Sequence, residues 1–162
     1  GALRRANREG CHTAAISCNR GAEVSGLAGI AVEVNTGPEV LSGSTRLKAG
    51  TAEKMILNMI STASMVGVGK VYQNLMIDVR QTNQKLVCRA QNIVMQAVGC
   101  TREEAAQALR ETGGEAKTAV VKLLLDVDAE SAQELLERSG GKVRQALAAY
   151  RCGKEAQAFF AK

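Results

Sequence analysis

The segment GPEVLSGSTRLKAGTAEK, residues 37–54, gathers four hydroxyl side chains, three glycines and two early cations just ahead of an apolar helical pattern. An anion held without a metal needs N–H donors, hydroxyls and fixed positive charge, and a helix N-terminus preceded by small residues supplies all three. Ser42, Ser44 and Thr45 bring hydroxyls, Gly43 and Gly50 permit close approach, and Arg46 and Lys48 bring charge. Phosphate is the natural ligand for such a set. The GxxxxGK[ST] order of a P-loop is absent, so a nucleotide is not specifically indicated. A capped helix with a polar lead-in would have the same composition, since Ser and Thr at N-caps and Gly in loops need no ligand. Glu39 and Glu53 are the carboxylates placed to act as acid or base beside this segment. Their structural alternative is a solvated or first-turn helix residue.

Other chemistry-bearing residues are sparse. Five cysteines, at 11, 18, 88, 100 and 152, are odd in number and show no CxxC spacing, and His12 is the single histidine. A zinc site is therefore not expected. Cys11 or Cys18 with His12 would make a nucleophile pair, set against ordinary core or strand-edge roles. The aromatic set is Tyr72, Tyr150, Phe159 and Phe160, too few for a base-stacking surface. A net charge of +5 suits an anionic ligand, but the cations are dispersed, and Arg4-Arg5 reads as a solvated helix face. No nucleic-acid partner follows from this. With neither a secretory leader nor a long apolar run, the reading is a reducing, cytoplasmic compartment with no membrane partner.

The elements that must position the segment follow from periodicity. GALRRANREG reads as the tail of an amphipathic helix whose cap is missing, as though the chain were cut from something longer. HTAAISC and IAVEV are short strand patterns separated by a stretch, AEVSGLAG, able to hold a short helix. Strand alternating with helix predicts parallel βαβ topology, and a parallel sheet needs further strands, expected upstream. A long helical pattern then runs to about Gly67, with Met55, Met59, Thr62 and Val66 on one stripe and Ile56, Ile60 and Ala63 beside it. So broad an apolar surface is expected to be buried, at a subunit interface for example. VGVGKVYQN breaks that helix, and another follows from Thr82 as N-cap to Gly99.

From residue 101 the texture changes to short helices separated by glycine pairs. AQALRETGGEAKTAV (106–120) and AQELLERSGGKVRQAL (132–147) echo one another about 26 residues apart, each as helix, left-handed glycine, helix. Two copies are too few for a solenoid, so a compact bundle of three or four helices is expected.

The runs GPEVLSGSTRLKAGTAEK, NMISTASMVGVGKVYQNLMIDVRQTNQKL and GCHTAAISCN closely resemble the N-acetylmuramic acid 6-phosphate etherases, and the likeness extends from about Gly1 to Leu147. The resemblance implies an α/β fold. Residues 1–99 would be the C-terminal part of a SIS-type α/β/α sandwich with parallel strands, and residues 100–162 a small all-helical module similar to ubiquitin-associated (UBA) domains, with a C-terminal tail. It implies a cytoplasmic homodimer that needs no cofactor. The implied reaction cleaves the lactyl ether of N-acetylmuramic acid 6-phosphate to N-acetylglucosamine 6-phosphate and D-lactate, by syn elimination followed by addition of water, during murein recycling.

Carried over residue by residue, Ser44 and Thr45 match the hydroxyls of the family's GS[ST]R motif in the sugar-phosphate pocket, and Arg46 and Lys48 its basic positions. The family's acid/base glutamates have no counterpart in this chain, which is therefore expected to be the C-terminal half of an etherase and inactive alone. Two departures stand out: Arg20 where the family often has proline, and the tail AYRCGKEAQAFFAK, read as an added helix packing Phe159 and Phe160. The alternative is a non-catalytic sugar-phosphate-binding protein similar to glucokinase regulatory protein, which shares GS[ST]RxK. The Lys48-Ala49-Gly50-Thr51-Ala52 run favours the etherase side. A SIS-containing transcription regulator would need a helix-turn-helix segment, and none is visible.

Overall fold

A computed structural model of the chain describes residues 1–160, with side chains through Gly153. Two compact units divide it, Gly1–Thr62 and Ala63–Lys162. The expected boundary between residues 99 and 100 falls inside the second unit.

In the first unit, helix α1 (Ala2–Arg8) leads to strand β1 (Ala14–Ser17), a 3-10 turn (Ser25–Leu27) and strand β2 (Ile30–Glu33). The strands pair in parallel, Ala14 opposite Ile30 through Ser17 opposite Glu33. The crossover holds a single 3-10 turn, the shortest form of the helix this stretch is able to hold. Side chains compensate for its brevity. Asn7 Nδ2 donates to Leu27 O (2.7 Å), and Thr13 Oγ1 donates to Asn7 Oδ1 (2.9 Å) while accepting from the Gly29 amide (3.0 Å). At the far end of β2, Glu33 receives the Gly21 and Ala22 amides at 3.0 and 3.2 Å, fixing the loop after β1.

Helix α2 (Lys48–Gly67) follows, ending where its glycine predicts. Its apolar stripe is left open by the rest of the chain. Ile56 is its single buried residue, while Met55, Met59, Ile60 and Val66 are 54, 59, 50 and 52% exposed. Helical periodicity identifies the apolar face correctly but carries no information about what, if anything within the same chain, covers it.

The second unit contains a small antiparallel hairpin, β3 (Val71–Tyr72) and β4 (Leu75–Met76), where only a helix break was read from the sequence. Gln73 takes φ 54° at its tip. Below the pairing, the Ile77 amide donates to Lys70 O (3.0 Å) and Lys70 Nζ meets Asp78 Oδ2 at 2.9 Å. Helix α3 (Gln84–Val98) starts one residue later than predicted, because Asn83 is the residue whose side chain accepts from the Leu86 amide. Gly99, at φ 82°, ends it as expected. Four helices complete the unit: α4 (Arg102–Glu111), opened by a Thr101–Glu104 capping box, α5 (Ala116–Leu125), α6 (Ala129–Arg138) and α7 (Val143–Phe160). The glycine pairs 113–114 and 140–141 all adopt positive φ, as the sequence echo requires.

One aliphatic core joins α3 through α7. Ala90, Val94, Ala105, Ala119, Val120, Val121, Ala132 and Ala146 are fully buried in it, with α5 packed against α3, α4, α6 and α7. So many alanines at the contacts let helix axes approach closely. α7 runs on into the tail, and the packing expected for Phe159 and Phe160 lies outside the described side chains.

Candidate phosphate-binding turn

Local chain geometry arranges the hydroxyl-rich segment as a tight turn leading into α2. The Ser44 amide donates to Leu41 O (3.0 Å), Thr45 to Gly43 O (3.0 Å) and Leu47 to Ser44 O (3.1 Å). The first four amides of a helix have no partner within it, and here each has found one outside. Lys48 and Ala49 donate to the two carboxylate oxygens of Glu39, both at 3.0 Å. Gly50 donates to Thr45 O (2.8 Å) and Thr51 to Leu47 O (3.0 Å). A Cβ on Gly50 would stand 3.4 Å from Thr45 O, an ordinary contact, so the closure does not itself require glycine. Cys18 adds a further tie, its Sγ donating to Ala49 O at 3.5 Å from the end of β1.

This corrects the physical premise of the sequence argument. The α2 amides, taken there as the donors for an anion, are already engaged. What the turn still offers is different: among the described residues, the hydroxyls of Ser42, Ser44 and Thr45 and the amides of Ser42, Gly43 and Arg46 form no hydrogen bond. Ser44 is half-buried and Thr45 and Arg46 are exposed. Three hydroxyls, three amides and the Arg46 guanidinium, the donor types a phosphate accepts from, thus lie within five consecutive residues. The Lys48 charge acts on Glu39.

Glu39 itself is bound as an ion. The Ala49 and Lys48 amides, with the Lys48 charge, hold its carboxyl below the ordinary 4.5. A carboxylate so stabilised is a weak proton acceptor at neutral pH. Because its pKa is depressed on folding, the stability it contributes is present above the ordinary value and lost as pH falls through the depressed one. Acid titration below pH 4.5 is expected to release the Lys48 and Ala49 amides to faster hydrogen exchange. In Glu39→Gln, exchange of those two amides relative to the rest of α2 should not change across the same range. Glu53 lies exposed on α2, in the turn after these amides.

The remaining candidates are dispersed. Cys11 and His12 follow α1 at the rim of a concavity of about 540 Å³ lined also by Asn7, Thr13 and Gly29. Cys18 is engaged by Ala49 as described. A larger concavity, about 600 Å³, lies in the second unit between the two glycine pairs and is edged by Asp78, Arg80, Gln81 and Lys117. Sequence reasoning missed it, although the repeated Gly-Gly turns mark its two sides. Among the described residues no group of three or more His, Cys, Asp or Glu side chains is gathered to hold a metal ion. Among the described residues no helix is long and apolar enough to cross a membrane.

A parallel strand–turn–strand unit followed by a hydroxyl-rich turn and a long helix is an α/β arrangement. Residues 73–113 match the family model described as the C-terminal lid domain of glucokinase regulatory protein. The chain is similar in sequence to curated N-acetylmuramic acid 6-phosphate etherases. It is 56% identical over 146 residues to that of Geobacillus thermodenitrificans, covering 90% of this chain and 50% of the relative. The Mycolicibacterium smegmatis etherase is 56% identical over 149 residues, 92% of this chain and 50% of the relative. That of Cutibacterium acnes is 53% identical over 147 residues, 91% and 48%. The chain thus spans about half the length of the curated relatives it matches.

Proposed function

We propose that this chain is the C-terminal half of an N-acetylmuramic acid 6-phosphate etherase and supplies a phosphate-binding turn for its substrate. The observation that carries the reading is the turn of unpartnered hydroxyls at Ser42, Ser44 and Thr45, followed by Arg46, in a chain 53–56% identical to named etherases. The parent reaction releases D-lactate and leaves N-acetylglucosamine 6-phosphate, as part of the recycling of murein in the cytoplasm. Elimination of lactate needs a base for the C2 proton and an acid for the departing ether oxygen. Glu39 is an ionised acceptor of two amides and Glu53 stands exposed on α2, so the reading assigns acid and base to residues beyond this chain. Residues 1–99 are read as the C-terminal portion of a SIS domain and 100–162 as a UBA-like module. No cofactor enters the reading.

The test is paired. Incubated alone with N-acetylmuramic acid 6-phosphate, the chain should release no D-lactate while an intact etherase does; release would refute the split site. Calorimetric binding of N-acetylglucosamine 6-phosphate should weaken about 10- to 100-fold in Ser44→Ala/Thr45→Ala, the loss of charge-assisted hydrogen bonds. Equal affinities would sink the turn as the phosphate site.

A second reading, a non-catalytic sugar-phosphate-binding regulator, is favoured by the lid-domain match at residues 73–113. It separates from the first in the full-length protein, which would bind the sugar phosphate and release no lactate. Either reading includes a homodimer that covers the apolar stripe of α2. Light scattering should show self-association that Met59→Lys weakens, and a monomer at high concentration would count against it.

A further inference from the structure

The α2 N-terminus poses a question that phosphate binding alone does not answer. A helix start beside a cationic, hydroxyl-rich turn attracts an anion, yet an anion of the protein's own already sits there. Glu39 reaches nine residues forward to accept both the Lys48 and Ala49 amides, and its oxygens stand 3.0 Å from each. The other two orphan donors close on Thr45 O and Leu47 O. Residues 40–47 are thereby tied at both ends, with Glu39 fastened to the first turn of α2, and form the arch between. That arch is where the free hydroxyls of Ser42, Ser44 and Thr45 and the free amides of Ser42, Gly43 and Arg46 are found.

We propose that Glu39 is a positioning residue that closes the α2 N-terminus against the ligand and so forces the phosphate onto the arch of residues 42–46. This rests on the phosphosugar reading above for its ligand, but its geometric content stands apart from it. The two possible roles of a carboxylate at this place have effects of opposite sign. If it only competes with the ligand for the α2 amides, removing it frees two donors and a like charge, and phosphate binds tighter. If it sets the arch, removing it lets residues 40–47 relax and phosphate binds weaker, despite the lost negative charge.

The experiment compares the full 162-residue chain with Glu39→Ala, Glu39→Gln and, as a control for net charge, the exposed Glu134→Gln on α6. N-acetylglucosamine 6-phosphate and inorganic phosphate are the probes, at a temperature where circular dichroism shows every variant folded. Glu39→Ala should bind the phosphosugar at least about fivefold more weakly, the equivalent of one lost cap. Glu39→Gln, which keeps an acceptor for one amide, should recover part of that loss, and Glu134→Gln should match wild type. Tighter binding by Glu39→Ala overturns the proposal.

Hydrogen exchange decides the geometry separately. The Lys48 and Ala49 amides should exchange about fivefold faster in Glu39→Ala, and unchanged exchange overturns the clamp. Wild-type chain that binds neither probe, with the exchange effect intact, sinks the phosphosugar reading and leaves Glu39 as the clamp of α2.

Discussion

Gly69→Ala is expected to destabilise the second unit by about 2–4 kcal/mol, from left-handed strain and overpacking together. Gly69 has φ 77°, and a Cβ built there would lie 2.8 Å from Gly141 O, 2.9 Å from Lys142 Cγ and 3.2 Å from Gly141 C. The lysine methylene can swing aside. The Gly141 carbonyl cannot, because it belongs to the turn that closes α6, where the Gly141 amide donates to Leu136 O at 2.8 Å. The substitution therefore pushes the start of the hairpin away from the α6–α7 turn. Scanning calorimetry should record a midpoint lower by about 10 °C or more for a unit of this size, and a midpoint within about 2 °C of wild type would contradict the close approach.

Val120→Asp should be more damaging still. Val120 is fully buried on α5, the helix that packs against α3, α4, α6 and α7, so a carboxylate there finds no water and no cation. Burying a charge without a partner costs more than the marginal stability of a small domain allows. Far-UV circular dichroism should show loss of the cooperative helical transition. Val120→Ala calibrates the site, with an expected cost of about 2–3 kcal/mol in urea unfolding from lost methyl burial and a residual cavity. A Val120→Asp chain that melts like wild type would mean that α5 is not the centre of the core.

The sequence was most legible where one residue type has one mechanical use. Gly99 and the two glycine pairs announced helix ends, and the strand–helix–strand order around two Val/Ile/Ala-rich runs announced the parallel pairing of Ala14–Ser17 with Ile30–Glu33. The hairpin at Val71–Tyr72 and Leu75–Met76 was not legible, since two residues per strand are too few to display a period of two. The likeness to etherases was legible in full, because it lay in long uninterrupted runs such as GSTRLKAGT.

The role of Glu39 was hidden for a different reason. Local capping follows short spacings, with a hydroxyl at the cap and a glutamate three residues on, as Thr101 and Glu104 show on α4. Glu39 caps from nine residues upstream, a reach set by how residues 40–47 fold back and by nothing in the local pattern. Its position just after Gly37-Pro38, a turn-forming pair, was the available signal. Likewise the α2 stripe was legible as apolar, but what covers it was not, because periodicity reports a face and not its neighbour.

That uncovered helix gives the molecule a chemical clock. Three of its five methionines, Met55, Met59 and Met65, stand on α2 with their side chains open to solvent, at 54, 59 and 38% exposure. Thioethers in that state meet dissolved oxidants freely and become sulfoxides, which are polar and chiral where the parent side chain was greasy and pliable. Ageing of the isolated chain would then begin on α2 and leave the aliphatic core of the second unit untouched. Any neighbour that seats on the stripe shields the sulfur atoms of Met55 and Met59, so the rate of their oxidation becomes a record of how long the helix has been alone.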